Sequence, residues 1–476
     1  MNTRCAVEPG ATAASAPLHF VPRRPAGALV ALGDGMRRHG RLIRGIQWAI
    51  VLFYAVLVVL PAFLPLPDDE ARILDNLSLF AQFLFWGIWW PFVLLSMVLV
   101  GRVWCGVFCP EGALSEAVSR HGRGRGIPRW VRWGGWPCTA FVITTVYGQL
   151  VSVYQYPQAA LLVLGGSTVA AVAVGYMYGR GKRVWCRHLC PVSGVFGLLA
   201  RLAPLHFRVD RARWEARTGG IVALPNCAPL IDIRRMEGGS ACHMCGRCSG
   251  QRDAVSLALR APGLEIAVNG QRAATGWDTA LLLFGLIGVA MGAFHWSASP
   301  WFVTLRVAAA DWLIEHGGLW MLADNAPWWL LTHYPQNHDS FSWLDGALIT
   351  GYILGTALLV GGALYALCVA ATRGLGRPAA RHHLALAYVP LGGCGVFLGL
   401  SMTTLTLLRH EGLALPWVDA ARAALLAGAV GWSLWLAWRS SAAHSASLPR
   451  RLAALLTIAV GAALIAGGWG LLFFVW

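Results

Sequence analysis

Apolar runs of 16 to 28 residues recur along the chain, separated by stretches where arginine, proline and glycine gather. Nine runs are readable, near 45–66, 79–100, 135–156, 158–178, 278–297, 344–371, 384–407, 423–438 and 452–475. About 20 mostly apolar residues, each rising 1.5 Å in a helix, cross about 30 Å of hydrocarbon. The pattern predicts an all-α polytopic membrane protein with about nine transmembrane helices. Composition agrees, because 13% of residues are charged where a soluble domain carries about a quarter.

Lysine and arginine decide how the helices are threaded. With the N-terminus inside, 34 of the 38 basic residues lie on the inner face, and only Arg72, Arg306, Arg409 and Arg422 fall outside. Basic residues stay on the cytoplasmic side of short loops. The N-terminus is therefore expected in the cytoplasm and the C-terminus on the opposite face. The formal net charge of +16 then follows from topology and from attraction to anionic lipid, without a nucleic-acid partner. The first run is too long for a signal peptide and no A-x-A site follows it, so that span is expected to be retained.

Residues 1–44 are rich in Ala, Pro and Arg and read as a basic, poorly ordered cytoplasmic segment. Residues 45–178 read as a four-helix membrane core with an inner loop at 101–134. Residues 179–277 are the only sizeable soluble segment, and 278–476 form a five-helix unit. Its Trp-rich outer loop, 298–343, is expected to lie on the bilayer surface as short amphipathic helices. The four-helix core is internally repeated. Each hairpin ends in a near-identical motif, "RVWCGVFCP" at 102–110 and "RVWCRHLCP" at 183–191, which points to pseudo-symmetry.

Eight of the twelve cysteines sit on the inner side in motif spacing: Cys105, Cys109, Cys186, Cys190, Cys227, Cys242, Cys245 and Cys248. Cys5 lies in the N-terminal segment. Cys138, Cys368 and Cys394 fall within apolar spans, where a cysteine is ordinarily a small buried hydrophobe. The cytoplasmic face is reducing, so disulfides do not account for the eight. Structural zinc takes two C-x2–4-C knuckles. "CHMCGRC" instead sets three thiolates at i, i+3 and i+6, as in the bacterial ferredoxin run, where a Cys before Pro closes a cluster. Eight thiolates are the requirement of two [4Fe–4S] clusters. The simple partition gives Cys105, Cys109, Cys186 and Cys190 to one cluster and the remaining four to the other. In the crossed partition Cys109 or Cys190 completes the "CHMCGRC" cluster and Cys227 joins the membrane-proximal one. The ferredoxin precedent favours crossing.

"CGVFCPEGAL", "CRHLCPVSGVFG" and "CHMCGRCSGQRDAV" together resemble the membrane-bound polyferredoxins of the NapH/NosR type, over roughly residues 40–260. That resemblance implies a bacterial inner membrane, with clusters on its cytoplasmic face. It also implies electron passage between the quinone pool or a flavin and a periplasmic acceptor, or assistance to oxidase assembly. Two departures bear on the partner. The last block has "CSGQRDAV" where a fourth Cys-Pro is usual, with Cys227 as the apparent substitute. No periplasmic flavin-binding domain stands before the first span.

Arg102, Arg183, Arg187 and Arg247 flank the thiolates and would raise the potential of a net-negative cluster, or are simply inner-face charges. His188 and His243 lie inside the motifs, but eight cysteines leave a Rieske-type role unnecessary. A haem b could be held at the outer side by His295 and His410. His316, His333 and His338, beside Asp311, Glu315, Asp324 and Asp339, could serve a quinol site, or be ordinary interfacial residues. No phosphate-cradling loop, dinucleotide fingerprint or nucleophile triad is present. The expected function is a quinol-dehydrogenase-like relay of single electrons between a quinol or flavin donor and a partner redox protein or membrane subunit. The alternatives are an accessory factor supplying reducing equivalents to a maturing metalloenzyme, or an iron–sulfur redox sensor.

Overall fold

The computed structural model describes residues 27–68, 70–216 and 225–476; Cys5 and the Arg23-Arg24 pair lie outside them. The part of the N-terminal segment that is described is not loose. Gly27–Arg38 forms a helix, α1. Its Leu29 and Met36 pack on the apolar cluster that holds Phe207, Cys242 and Leu257, and its Asp34 Oδ1 accepts a 2.9 Å hydrogen bond from Ser249 Oγ. The Ala, Pro and Arg bias of residues 1–44 hid a short element that is ordered by tertiary contacts.

Among the described residues, eight helices are long and apolar enough to cross a membrane. The first two are α2 (Gly40–Phe63) and α3 (Leu77–Val100). Asn76 caps α3, accepting from the amides of Ser78 and Leu79 at 2.9 and 3.2 Å. Short helix α4 (Pro110–Ser119) follows on the inner side. The third expected span is shorter than its apolar run. Helix α5 covers only Trp136–Leu150, about 22 Å at 1.5 Å per residue, before the chain turns at 151–155. Its two ends still reach opposite ends of the bundle. Trp133, just before it, meets Trp277 edge-on at 5.1 Å. Leu150, at its other end, accepts 2.8 Å from the amide of Thr332 in the outer loop.

The remaining long helices are α6 (Pro157–Tyr178), α8 (Gly276–His295), α10 (Trp343–Gly374), α11 (Pro378–His410), α12 (Val418–Ala442) and α13 (Leu448–Val475). Between α6 and α8 lies short α7 (Ser193–Ala200). Helix α9 (Pro300–Glu315) lies in the outer loop with Trp301, Val303, Leu305 and Trp312 exposed. Helices α8 and α11 are the most enclosed, and the bundle is built around them. Val93 and Met97 of α3 share one continuous core with Leu282 and Ile287 of α8, Leu391 of α11 and Ile458 of α13. The four-helix core and the five-helix unit are therefore fused through a common interior. Glycines permit the closest approach: a Cβ on Gly288 or Gly292 would come 2.7 or 2.8 Å from a Cα of α10, the small-residue packing that membrane helices use. Cys368 is fully buried in this core, with Cys138 and Cys394 packed against it.

On the inner side, strands β1 (Leu205–Val209) and β2 (Val255–Leu259) pair antiparallel, with Phe207 opposite Leu257. Their apolar face covers the cysteine-rich loop, with Phe207, Trp214, Val255 and Leu257 in one cluster with Cys242 and Met244.

Candidate metal centre

The eight motif cysteines gather into two neighbouring quartets. Cys105, Cys109, Cys186 and Cys190 line one cavity of about 240 Å³ at the inner end of the helices. Cys227, Cys242 and Cys248 share the apolar cluster under the β1–β2 sheet, and Cys245 is felt electrostatically by all three. This placement groups the thiols as the simple partition does. The Cys109-Pro110 corner is tied to the second hairpin through Glu111, which accepts from Ser167 and Trp185.

In the first corner, Trp104–Phe108 forms a widened helical turn and Pro110 starts α4 at its first position, where its missing N–H is not needed. Cys109 is the N-cap, and its Sγ accepts from the Gly112 amide at 3.4 Å. A helix N-terminus thus points at a thiol, favouring negative charge there. In the second quartet the backbone of "CHMCGRC" winds through left-handed conformations at Met244 (φ 53) and Gly246 (φ 73). A non-glycine residue held at positive φ is the kind of strain found at functional sites.

Burial pushes the thiols of Cys186 and Cys248 up to about 12, and those of Cys109, Cys190 and Cys242 well above the ordinary range. Without a bound cation these groups would be neutral. Around them are buried donors lacking any acceptor: Nη2 of Arg183, Nε of Arg102 and Nδ1 of His243. Such orphans are costly. Neutral buried thiols and unpartnered donors together fit a cofactor that supplies both cationic metal and anionic sulfur. Among the described residues, no three His, Cys, Asp or Glu side chains converge tightly enough for a single metal ion. The donor chemistry fits an iron–sulfur cluster.

Residues absent from the motif reading complete the site. Gln47 of α2 donates 2.9 Å to the Gly106 carbonyl. Glu111 accepts from Ser167 Oγ at 2.6 Å and Trp185 Nε1 at 3.0 Å, and burial raises its carboxyl. Burial alone would also raise Glu116, but Arg183 at 2.9 Å and Arg247 at 2.7 Å hold it below the usual carboxylate range. Glu111 and Glu116 are the only acidic residues in the inner loop 101–134, a signal the cysteine spacing overshadowed. Of the four flanking arginines, Arg102 and Arg183 are buried. Arg102 donates to Ser193 Oγ at 2.9 Å and Ser240 O at 3.3 Å. Arg187 is exposed and Arg247 half-buried.

The outer histidines do not come together. Both ring nitrogens of His295 face backbone carbonyls, Met291 O at 2.6 Å and Gly468 O at 2.8 Å. Neither is free for a haem iron, and His410 is exposed at the end of α11. His316 stacks on Trp312 at a helix end, His333 sits in a two-residue strand, and His338 occupies a left-handed turn. The outer cavities of about 580 and 330 Å³ include Asp339 and Asp324 but none of these histidines.

Residues 82–128 and 161–210 match the family model of a 4Fe-4S binding domain. The matched stretches hold Cys105, Cys109, Cys186 and Cys190, and the second quartet lies beyond them. The chain is 26% identical to YccM, a candidate electron transport protein of Escherichia coli (strain K12), over 44% of this chain and 65% of that one. It is 28% identical to the regulatory protein NosR of Pseudomonas aeruginosa, over 34% of this chain and 22% of that one. It thus spans less than two thirds of either relative. No solved structure matches. The resemblance to membrane-bound iron–sulfur proteins holds, and the protein is a multi-pass membrane protein.

Proposed function

We propose that the protein is a membrane-bound electron relay. It passes single electrons through two [4Fe–4S] clusters on the cytoplasmic face of a bacterial inner membrane, with its N-terminus inside and its C-terminus in the periplasm. Cys105, Cys109, Cys186 and Cys190 would hold the first cluster; Cys227, Cys242, Cys245 and Cys248 the second. The clusters supply one-electron chemistry, while the chain sets distance, potential and access. The observation that carries this reading is the contact between the quartets. The Cys105–Cys109 turn rests directly on the backbone of His243 and Cys245 through Gly106, so the two cofactor sites adjoin. Electron-transport naming in one relative supports it.

The two sites face different surroundings. The first opens on an aromatic chamber formed by Tyr54, Phe85, Trp86, Trp89 and Trp90 with Glu111 at its inner end. The second lies under the cytoplasmic sheet. A quinol donor therefore has a better place in this chamber than among the outer-loop histidines, and a redox partner protein would meet the second cluster.

The test is anaerobic purification of the full chain in detergent, with iron, sulfide and zinc measured per chain and EPR recorded after dithionite reduction. About eight iron and eight sulfide, with signals from two interacting cubanes, is the expected result. Reduction by a short-chain quinol should then follow, and should weaken when Trp86 is replaced by Ala. One or two zinc ions and no sulfide would replace the relay with a structural clip.

A further inference from the structure

Arg183 is 1% exposed and lies where the two quartets meet. Its Nη1 donates to the carbonyl of Cys105 in the first. Its backbone N–H donates 2.8 Å to Ala228 O, next to Cys227 of the second. Its Nε donates 2.9 Å to Glu116 Oε2, and Glu116 Oε1 takes 2.7 Å from Arg247, which stands between Cys245 and Cys248. Nη2 is buried without any partner. Its charge is felt by Cys109 and Cys186 on one side and by Cys245 on the other. Arg102, the other buried arginine flanking the thiolates, has two acceptors of its own and acts on Cys186.

We infer that Arg183, positioned by Glu116, is an electrostatic link shared by both clusters, setting their two potentials together. This rests on the two-cluster reading above. An electron arriving on a thiolate-held cluster adds negative charge, and a buried cation beside it favours that reduced state. Because one guanidinium serves both sites, removing it disfavours reduction of both. Glu116 opposes it through the same geometry, since its carboxylate lowers the net positive charge at the junction. The two members of the pair therefore act with opposite sign, whereas damage to the fold would move both potentials the same way.

The experiment is an EPR-monitored redox titration of the full chain, purified anaerobically, with iron and sulfide measured for each variant. Arg183→Gln should lower both midpoint potentials and Glu116→Gln should raise both, each by about tenfold in the reduction equilibrium, or about 59 mV for one electron. Arg183→Lys should stay near the natural protein. A shift confined to one cluster, or shifts of the same sign in both variants, overturns the link. If Arg183→Gln loses its clusters, Glu116→Gln still gives the sign, and a fall in either potential in that variant overturns the link. A natural chain with four iron and a single signal overturns the two-cluster reading itself, which the metal content reports separately.

Discussion

A Cβ placed on Gly106 would lie 2.0 Å from the carbonyl oxygen of His243 and 2.9 Å from the amide nitrogen of Cys245. The two cysteine loops therefore meet backbone to backbone, with no side chain between them. Gln47 completes the arrangement from below by holding the Gly106 carbonyl. The repeated motif differs at the equivalent place, where Arg187 follows Cys186. The repeat is thus asymmetric at the point where its first copy meets the second cysteine loop.

Gly106→Ala should part the loops, because the clash is with backbone atoms and no flexible side chain can give way. The second quartet loses its support while the first keeps its helices. About half the iron and sulfide should be lost on purification, on the count of four iron per cubane, with weaker magnetic interaction in whatever remains. Metal analysis and EPR of the reduced variant check this. Full iron with an unchanged spectrum would mean that the loops tolerate separation.

Single Cys→Ser variants test which thiols act together. Replacing Cys109 or Cys190 should remove the first signal and spare the second; replacing Cys227 or Cys245 should do the reverse. The informative variant is Cys227→Ser. In the crossed arrangement it would abolish the signal of the Cys105 cluster, and in the simple partition that of the Cys242 cluster.

Most of the membrane architecture was legible, because hydrocarbon thickness dictates helix length and backbone polarity leaves helices as the way to span. The short α5 escaped notice because hydropathy reports apolar length: residues 151–155 are apolar enough to read as span yet turn at Ser152, held at φ 49. The eight cysteines were legible from spacing. Their grouping was not, since partition depends on which hairpin each corner closes against, a tertiary fact. Gln47, Glu111 and Glu116 carry no spacing signature, and only their isolation among apolar or basic neighbours marked them. Helix α1 was missed because composition said disorder, whereas Gly33 sits close against Ser249 and Leu257.

That contact makes α1 a cover for the second quartet. A Cβ on Gly33 would come 2.9 Å from Ser249 Oγ and 3.2 Å from Leu257 Cβ, so Gly33→Val should lift the helix from the sheet. The second cluster should then bleach severalfold faster in air than in the natural protein, while the first keeps its rate. Time-resolved loss of visible absorbance, with EPR of samples quenched along the course, separates the two. Equal rates for both clusters would show that α1 shields neither.

His206 on β1 should give the segment around the β1–β2 sheet an acid sensitivity of its own. Burial, aided by the nearby Arg260, pushes its imidazole down to about 4, against about 6.5 in an unfolded chain. Between those values the unfolded chain holds a proton that the folded one lacks, so stability rises with pH across the window. The contribution is complete above about pH 6.5, shrinks as pH falls toward 4, and changes no further below that. Glu265 faces the same arginine: burial would raise it, but Arg260 at 2.5 Å and the Ser240 amide hold it low, so its own loss begins at more acid pH. His206→Gln keeps a polar side chain at this site and cannot charge. It should flatten the dependence between pH 6.5 and 5, where the natural protein is expected to lose its iron–sulfur absorbance at progressively lower temperature. Thermal scans at pH 7.5, 6 and 5 check this, and a variant that follows the natural slope would assign the acid sensitivity to another group.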